Sequence, residues 1–460
     1  MKRLLSVILT ATVLLIGIDC HASVSSAGES GDGCSGQPVL PTEAGPLPFR
    51  EPMPARPDSH PRMQVKPGIE VLRDGGFAQL KGKRVGLVTN PSGVDRHLKS
   101  TIDILFEAPE VQLVALFGPE HGVRGDAYAG AKVEDAKDAA TGLPVYSLYG
   151  KTREPSDEML RGLDAVVYDI QDIGVRSYTF ISTLGLMMRA CARLGIEVVV
   201  LDRPNPLGGL KVEGALVADG WHSFVSYYSI PYIYGLTVGE LANLVNEEGL
   251  NLGVKGSEKH LKCKLTVVPM EGWHRWMLYS DTKLPWILPS PNIPSPRAAM
   301  ANPASGICGE FGSAGYLNIG VGYTLPFELF AAEWIDAALL KERLDSYNIP
   351  GTDFRTIHFK PTSGPLQGKL LHGVQFFFSD YEAATITLTQ FYVIQAIKEL
   401  YGKNPYDLVQ GRTRMLDLVC GSDYVREKFG ATLRVADIAP YWNSAAEAFK
   451  ALSSKYYLYH

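Results

Sequence analysis

Residues 113–126 read LVALFGPEHGVRGD, and the reading of this stretch sets the fold. The apolar run 113–117 suits a short buried strand, and Gly118-Pro119 ends it, because proline lacks the N–H that a ladder or helix needs. Beyond the break, Glu120, His121, Arg124 and Asp126 share a loop punctuated by Gly122 and Gly125. An acid, an imidazole, a guanidinium and a second carboxylate after one strand make either a polar surface turn or the edge of a site.

The neighbouring stretches repeat the pattern. Residues 85–89 form a buried-type strand that ends in Asn90-Pro91-Ser92-Gly93, and helical spacing over 101–107 leads into 113–117. A third apolar strand, 163–168, ends in Asp169-Ile170-Gln171-Asp172. The spacing then predicts a helix over 180–194, closed by Gly195, and a fourth strand over 197–201 that ends in Asp202-Arg203-Pro204-Asn205. Strands alternating with helices predict an α/β fold whose parallel sheet is covered on both faces. In such a sheet the carboxyl ends of the strands share one edge, where ligands bind. Asn90, Glu120, His121, Asp169, Asp172, Asp202, Arg203 and Asn205 therefore converge on one rim, which favours a functional cleft.

Farther along, Thr237 caps a helix over 236–246, and the Pro-rich segment LPWILPSPNIPSP at 284–296 reads as a rigid crossover. From Ala298 onward a Gly-rich loop (306–322), a helix over 327–344, a strand near 373–378 and helices over 389–401 and 444–452 predict a smaller α+β unit. The expected organisation is a leader at 1–22, a Pro/Gly/Ser-rich tether at 23–67, a Rossmann-like domain at 68–297 and a C-terminal domain at 298–460 that completes the cleft.

Lys2 and Arg3 precede an apolar stretch from 4 to 18 and then small residues, the order of a secretory signal cleaved after Ala22. Cys20 is a poorer candidate for lipid attachment, since Asp19 stands where a small residue is wanted. The expected location is therefore periplasmic or extracellular, with no membrane span in the mature chain. A net charge of -5 supplies no basic field for a phosphate backbone, so nucleic acid is excluded as a partner. The six cysteines, Cys20, Cys34, Cys191, Cys263, Cys308 and Cys420, are scattered without CxxC spacing, which argues against a zinc site or a dense disulfide framework and leaves room for one bridge.

The chain contains neither GxGxxG after the first strand nor GxxxxGK[ST], so no dinucleotide or nucleotide cofactor is expected. No HExxH is present and no metal is called for. Ser92 and Ser182 lie outside any GxSxG and are weak nucleophile candidates. Glu120 is placed to act as a general acid, with His121 orienting it or binding substrate, although loop histidines are as often structural. Arg124, Arg176 and Arg203, each just past a strand end, suit carboxylate recognition, and each alone also suits a structural salt bridge. Asp169 and Asp172 straddle Gln171, and Tyr178 adds a hydroxyl on a flat face. Paired carboxylates with aromatic and arginine neighbours and no cofactor loop point to acid and base hydrolysis, glycoside cleavage being the commonest form.

The runs GLVTNPSGVD, LFGPEHGVRGD, TGLPVYSLYG, GLDAVVYDIQDIGVRSYTFISTLG, VVVLDRPNPLGG and LPWILPSPNIPSP, with SSKYYLY near the end, together resemble the exo-β-N-acetylmuramidase family (NamZ) from about Gly82 onward. The resemblance implies a Rossmann-like domain joined to a smaller one with the site between them. It also implies release of N-acetylmuramic acid from the non-reducing end of peptidoglycan fragments in wall turnover and recycling. It makes Glu120 the leading acid and gives Arg124, Arg176 or Arg203 the lactyl carboxylate as partner. It further allows the substrate's acetamido oxygen to attack the anomeric carbon, with Asp169, Asp172 and Tyr178 as candidates to polarise the amide. The chain departs from the family's SEGRGTT-like loop at Leu317-Asn318-Ile319-Gly320-Val321-Gly322-Tyr323-Thr324, where Ile and Val replace Glu and Arg. Two other readings stand beside this one: a non-catalytic muropeptide or sugar binder, and a metal-assisted hydrolase using Asp169, Asp172 and His121.

Overall fold

The computed structural model describes residues 64–125, 136–150, 152–249, 261–408 and 413–460, all within one compact unit. The stretch expected to be a leader, most of the stretch expected to be a tether, Cys20, Cys34 and Asp126 lie outside the described residues. The last residues read as tether already belong to the body: Val65 is fully buried, packs with Met270, Trp273, Met277 and Tyr459, and donates its N–H to Thr282.

Seven strands form the principal sheet: β1 (Arg84–Thr89), β2 (Gln112–Gly118), β3 (Ala136–Lys137), β4 (Pro144–Ser147), β5 (Ala165–Asp169), β6 (Glu197–Leu201) and β7 (Lys264–Val268), in the order β3-β4-β2-β1-β5-β6-β7. Six run parallel, as the alternation with helices predicts. The two-residue β3 pairs antiparallel to β4 at one edge, so the sheet is mixed. Burial explains the uninterrupted apolar runs: β5 is buried at every position, and β1 and β6 at all but their first. Helices Gly68–Asp74 and Thr101–Glu107 cover one face, and Phe180–Leu194 and Val238–Glu248 the other.

The C-terminal half carries an antiparallel sheet of β8 (Leu329–Ala332), β9 (Thr352–Phe359) and β10 (Leu371–Phe378), ordered β8-β10-β9, with helices packed against it. Here the predicted helix over 327–344 is corrected. Leu329–Ala332 pairs with β10, and the helix begins only at Ala337, where the Asp336 side chain accepts from the N–H groups of Ala338 and Leu339. Gly373 permits the pairing, because a Cβ there would meet the Phe330 carbonyl oxygen at 2.0 Å. The core of this half continues into Ile173, Val175 and Tyr232 of the first, and the final helix returns Ala446 and Phe449 to the parallel sheet's core. The four cysteines of the described region are buried and unpaired, so the one bridge the sequence left room for does not form among them.

Candidate active site

β1 lies at the centre of the parallel sheet. The chain builds outward through β2 and β4 on one side, then crosses back to start β5 on the other. The crevice at such a reversal, beyond the carboxyl ends, is where open α/β sheets hold ligands. The loop after β2 carries Glu120 and the loop after β5 carries Asp172, one on each side of the β1 tip.

Backbone geometry fixes the Glu120 loop. Gly118 passes so close to Gly122 that a Cβ would lie 3.2 Å from the Gly122 Cα, and the Gly118 carbonyl accepts from Leu148 N–H at 2.8 Å. His121 and Gly122 both take left-handed φ, +75° and +76°. For a buried histidine this costs about 1 kcal/mol or more and persists only where the surroundings enforce it. Gly125 rests on Pro91, whose Cγ would lie 2.6 Å from an added Cβ, so the far end of the loop lies against the β1 tip. Glu120, half-buried, accepts a 3.4 Å hydrogen bond from the Thr179 hydroxyl at the start of helix Phe180–Leu194, an end that favours negative charge.

Across from it, Asp172 is buried. Its Oδ2 accepts from Gly174 N–H at 2.7 Å and from the Tyr234 hydroxyl, while Oδ1 has no partner among the described residues. Burial pushes its pKa up to about 6. The buried Tyr178 hydroxyl meets the Ser290 side chain of the 284–296 crossover in a contact that opposes the effect of burial but falls short of a well-formed hydrogen bond, and no other partner reaches it among the described residues. Burial, then the charge of Asp172 and more weakly that of Glu120, raise the pKa of Tyr178. An unsatisfied buried polar atom costs roughly 1–3 kcal/mol, so Asp172 Oδ1 marks a spot that a polar ligand would complete.

The remaining candidates build the frame. Asp169 and Arg203 form a buried two-point ion pair, and Thr101 donates to the same carboxylate. Asn90 receives Ser92 N–H on its side-chain oxygen and donates to the Pro289 carbonyl at 3.1 Å, which ties β1 to the crossover. Asp202 accepts from Thr237, Gly239 and Tyr459, and burial raises its pKa to about 6. Asn205 bonds Leu236 and Leu207 and fills the space a Gly174 side chain would need.

The arginines expected to meet a carboxylate ligand are committed elsewhere. Arg124 makes a two-point pair with Asp138, whose pKa this hydrogen bonding lowers to about 2. Arg176 is fully buried and donates to four carbonyls, those of Ala215, Ile230, Val419 and Cys420, the last two at the end of helix Thr413–Cys420. There the carbonyl end of the helix offers the partial negative charge that a carboxylate would otherwise supply. The altered loop packs inward: Leu317 and Ile319 are buried, and Gly320 approaches the Leu325 carbonyl too closely for any side chain.

Tyr149, Arg153, Thr179 and Tyr234 carry no local sequence signal that marks them for the site. Tyr149 and Arg153 follow β4, a strand too short to stand out. Thr179 and Tyr234 matter only through contacts across 59 and 62 residues of chain. Among the described residues no cluster of three or more His, Cys, Asp or Glu suits a metal ion, and no helix is long and apolar enough to cross a membrane.

Models of the N- and C-terminal domains of "Exo-beta-N-acetylmuramidase NamZ" match residues 85–297 and 306–459. The chain is 42% identical over 409 residues to "Peptidoglycan beta-N-acetylmuramidase NamZ" of Bacillus subtilis (strain 168), covering 88% of this chain and 95% of that one. Among solved structures, a DUF1343 family protein from Bacteroides fragilis NCTC 9343 superposes with a TM-score of 0.80 at 51% identity, covering 87% of this chain and 100% of the other. A second DUF1343 protein from that organism gives 0.67 at 30% identity, covering 86% and 99%. With both domain models spanning the body and this identity to a curated member, the chain belongs to the exo-β-N-acetylmuramidase NamZ family.

Proposed function

We propose that the chain is an exo-acting glycosidase that releases N-acetylmuramic acid from the non-reducing end of peptidoglycan fragments, with Glu120 as general acid and the substrate's own acetamido group as nucleophile. The observation that carries this reading is the buried Asp172 carboxylate, whose Oδ1 has no partner among the described residues, with the Tyr178 hydroxyl near enough to feel its charge. A 2-acetamido sugar supplies the complement: its N–H for the carboxylate and its carbonyl oxygen for the phenol.

Held in that way, the carbonyl oxygen attacks the anomeric carbon, the bond to the leaving sugar breaks, and Glu120 gives its proton to the departing oxygen. Ionised Asp172 offsets the positive charge that develops on the amide. Water then adds at the anomeric carbon, the ionised Glu120 takes its proton, and the acetamido group is restored. Two displacements retain the anomeric configuration. His121, whose left-handed backbone aims the loop, positions Glu120, while Asp169 acts through Arg203 to hold the strand tips.

The name of the Bacillus subtilis relative supports the muramyl substrate. The leader-like residues 1–22 support action outside the cytoplasm, on fragments shed during wall turnover and recycling. The test is incubation with a chromogenic N-acetylmuraminide and N-acetylglucosaminide side by side, with the released sugar followed by NMR. Preferential cleavage of the muraminide with initial release of the β-anomer is expected. Initial release of the α-anomer would overturn the acetamido mechanism, and affinity without turnover would leave a sugar binder.

A further inference from the structure

N-acetylmuramic acid differs from N-acetylglucosamine by a lactyl ether at C3, whose carboxylate needs a cation within a sugar's width of the leaving oxygen. Arg124, Arg176 and Arg203 are held by Asp138, by backbone carbonyls and by Asp169. A different cation, Arg153, shares Tyr149 with Glu120 as a neighbour. The Arg153 guanidinium lies over the Phe224 ring at 4.2 Å and over the Tyr149 ring at 5.3 Å, and those two rings are 6.0 Å apart. Tyr149 links this group to the acid: burial and the Glu120 carboxylate raise its pKa, and Arg153 opposes them.

Arg153 is exposed and has no carboxylate within ion-pair distance among the described residues. Its neighbour Glu154 is taken by Arg189 and Arg193. A guanidinium laid on aromatic faces is restrained and points its N–H edge outward, the arrangement that receives a carboxylate through two parallel hydrogen bonds.

We propose that Arg153, seated on Phe224 and Tyr149 beside Glu120, receives the lactyl carboxylate and so selects muramyl over glucosaminyl sugars. The assignment rests on the muramyl reading above and goes beyond it by naming the selecting residue.

The test compares wild type, Arg153→Ala and Arg153→Lys on a chromogenic N-acetylmuraminide, its lactyl methyl ester and the matching N-acetylglucosaminide. A charge-assisted bond of this kind predicts that Arg153→Ala raises KM for the muraminide about ten- to hundredfold, with a much smaller change in kcat. The preference for acid over ester should collapse by the same factor, and Arg153→Lys should recover part of it. An unchanged KM, or an equal loss on acid and ester, would overturn the assignment. Calorimetry with free N-acetylmuramic acid separates this from the wider reading. Tight binding lost in Arg153→Ala with no turnover by wild type would keep Arg153 and remove the hydrolase, whereas equal affinities would do the reverse.

Discussion

Arg203, just past β6, grips Asp169, the last residue of β5, through two nitrogens, Nε to Oδ1 at 2.5 Å and Nη2 to Oδ2 at 2.9 Å. Both residues are buried, and the same guanidinium reaches back to the Val94 carbonyl near the β1 tip at 2.8 Å. One ion pair therefore sets the spacing of three strand tips. Taking two charges out of water costs several kcal/mol each, which their mutual attraction recovers only while both are present.

Removing one partner should accordingly be severe. Asp169→Asn or Arg203→Gln is expected to lower stability by about 3–5 kcal/mol, and the double variant by less than the sum. Urea unfolding of the three variants measures it, and additive losses would show that the pair is not coupled.

Arg176 joins the two halves of the body, from the 170s loop to the end of helix Thr413–Cys420. Arg176→Met leaves four carbonyls short of a donor and should cost several kcal/mol. The protein that remains folded should bind substrate with the KM of wild type, because the guanidinium faces backbone rather than ligand. A KM change with intact stability would contradict that placement.

Asp172 gives a signed pH dependence. Burial raises its pKa in the folded protein to about 6, against 3.8 for a solvent-exposed aspartate. The favourable contribution is thus fully present below about pH 4 and is lost as pH rises through 6, by an amount on the order of 3 kcal/mol. Asp172→Asn should flatten that part of the stability profile. Activity should run the other way, since the mechanism needs the ionised form: wild-type kcat/KM falls below about pH 6, and the variant loses both the rate and the acid limb.

Tyr178→Phe removes a buried hydroxyl whose contact with the Ser290 side chain falls short of a well-formed hydrogen bond. Thermal stability should hold or rise by about 1 kcal/mol, while kcat falls by ten- to hundredfold. A loss of stability would mean that the hydroxyl is already satisfied.

Much of the fold could be read from local signals. The helices over 101–107, 180–194 and 389–401 carry their own ends: the Ser100 hydroxyl accepts from Asp103 N–H, and Gly195 and Gly402 take left-handed φ of +70° and +65°. β8 was hidden because residues 327–344 keep a helical apolar period straight through it, and only pairing with β10, some forty residues on, decides otherwise. The site divides in the same way. Glu120, Asp172 and Tyr178 stand out by residue type at strand ends. Whether an arginine beside them is occupied depends on partners at distances of 14, 34 and 243 residues in sequence, which local pattern does not carry. Arg153 follows a four-residue strand whose contact with the site exists only in three dimensions.

In the proposed mechanism the departing oxygen takes its proton from Glu120, and the dependence of rate on the leaving group reads that transfer. Glu120→Gln keeps the shape and loses the acid, so kcat/KM on a muramyl disaccharide, which reads the bond-breaking step and not the later attack of water, should fall by roughly 10²–10⁴. On an aryl muraminide whose phenolate leaves without help, the fall should be far smaller. Equal losses on both substrates, or near wild-type turnover of the disaccharide, would contradict the account.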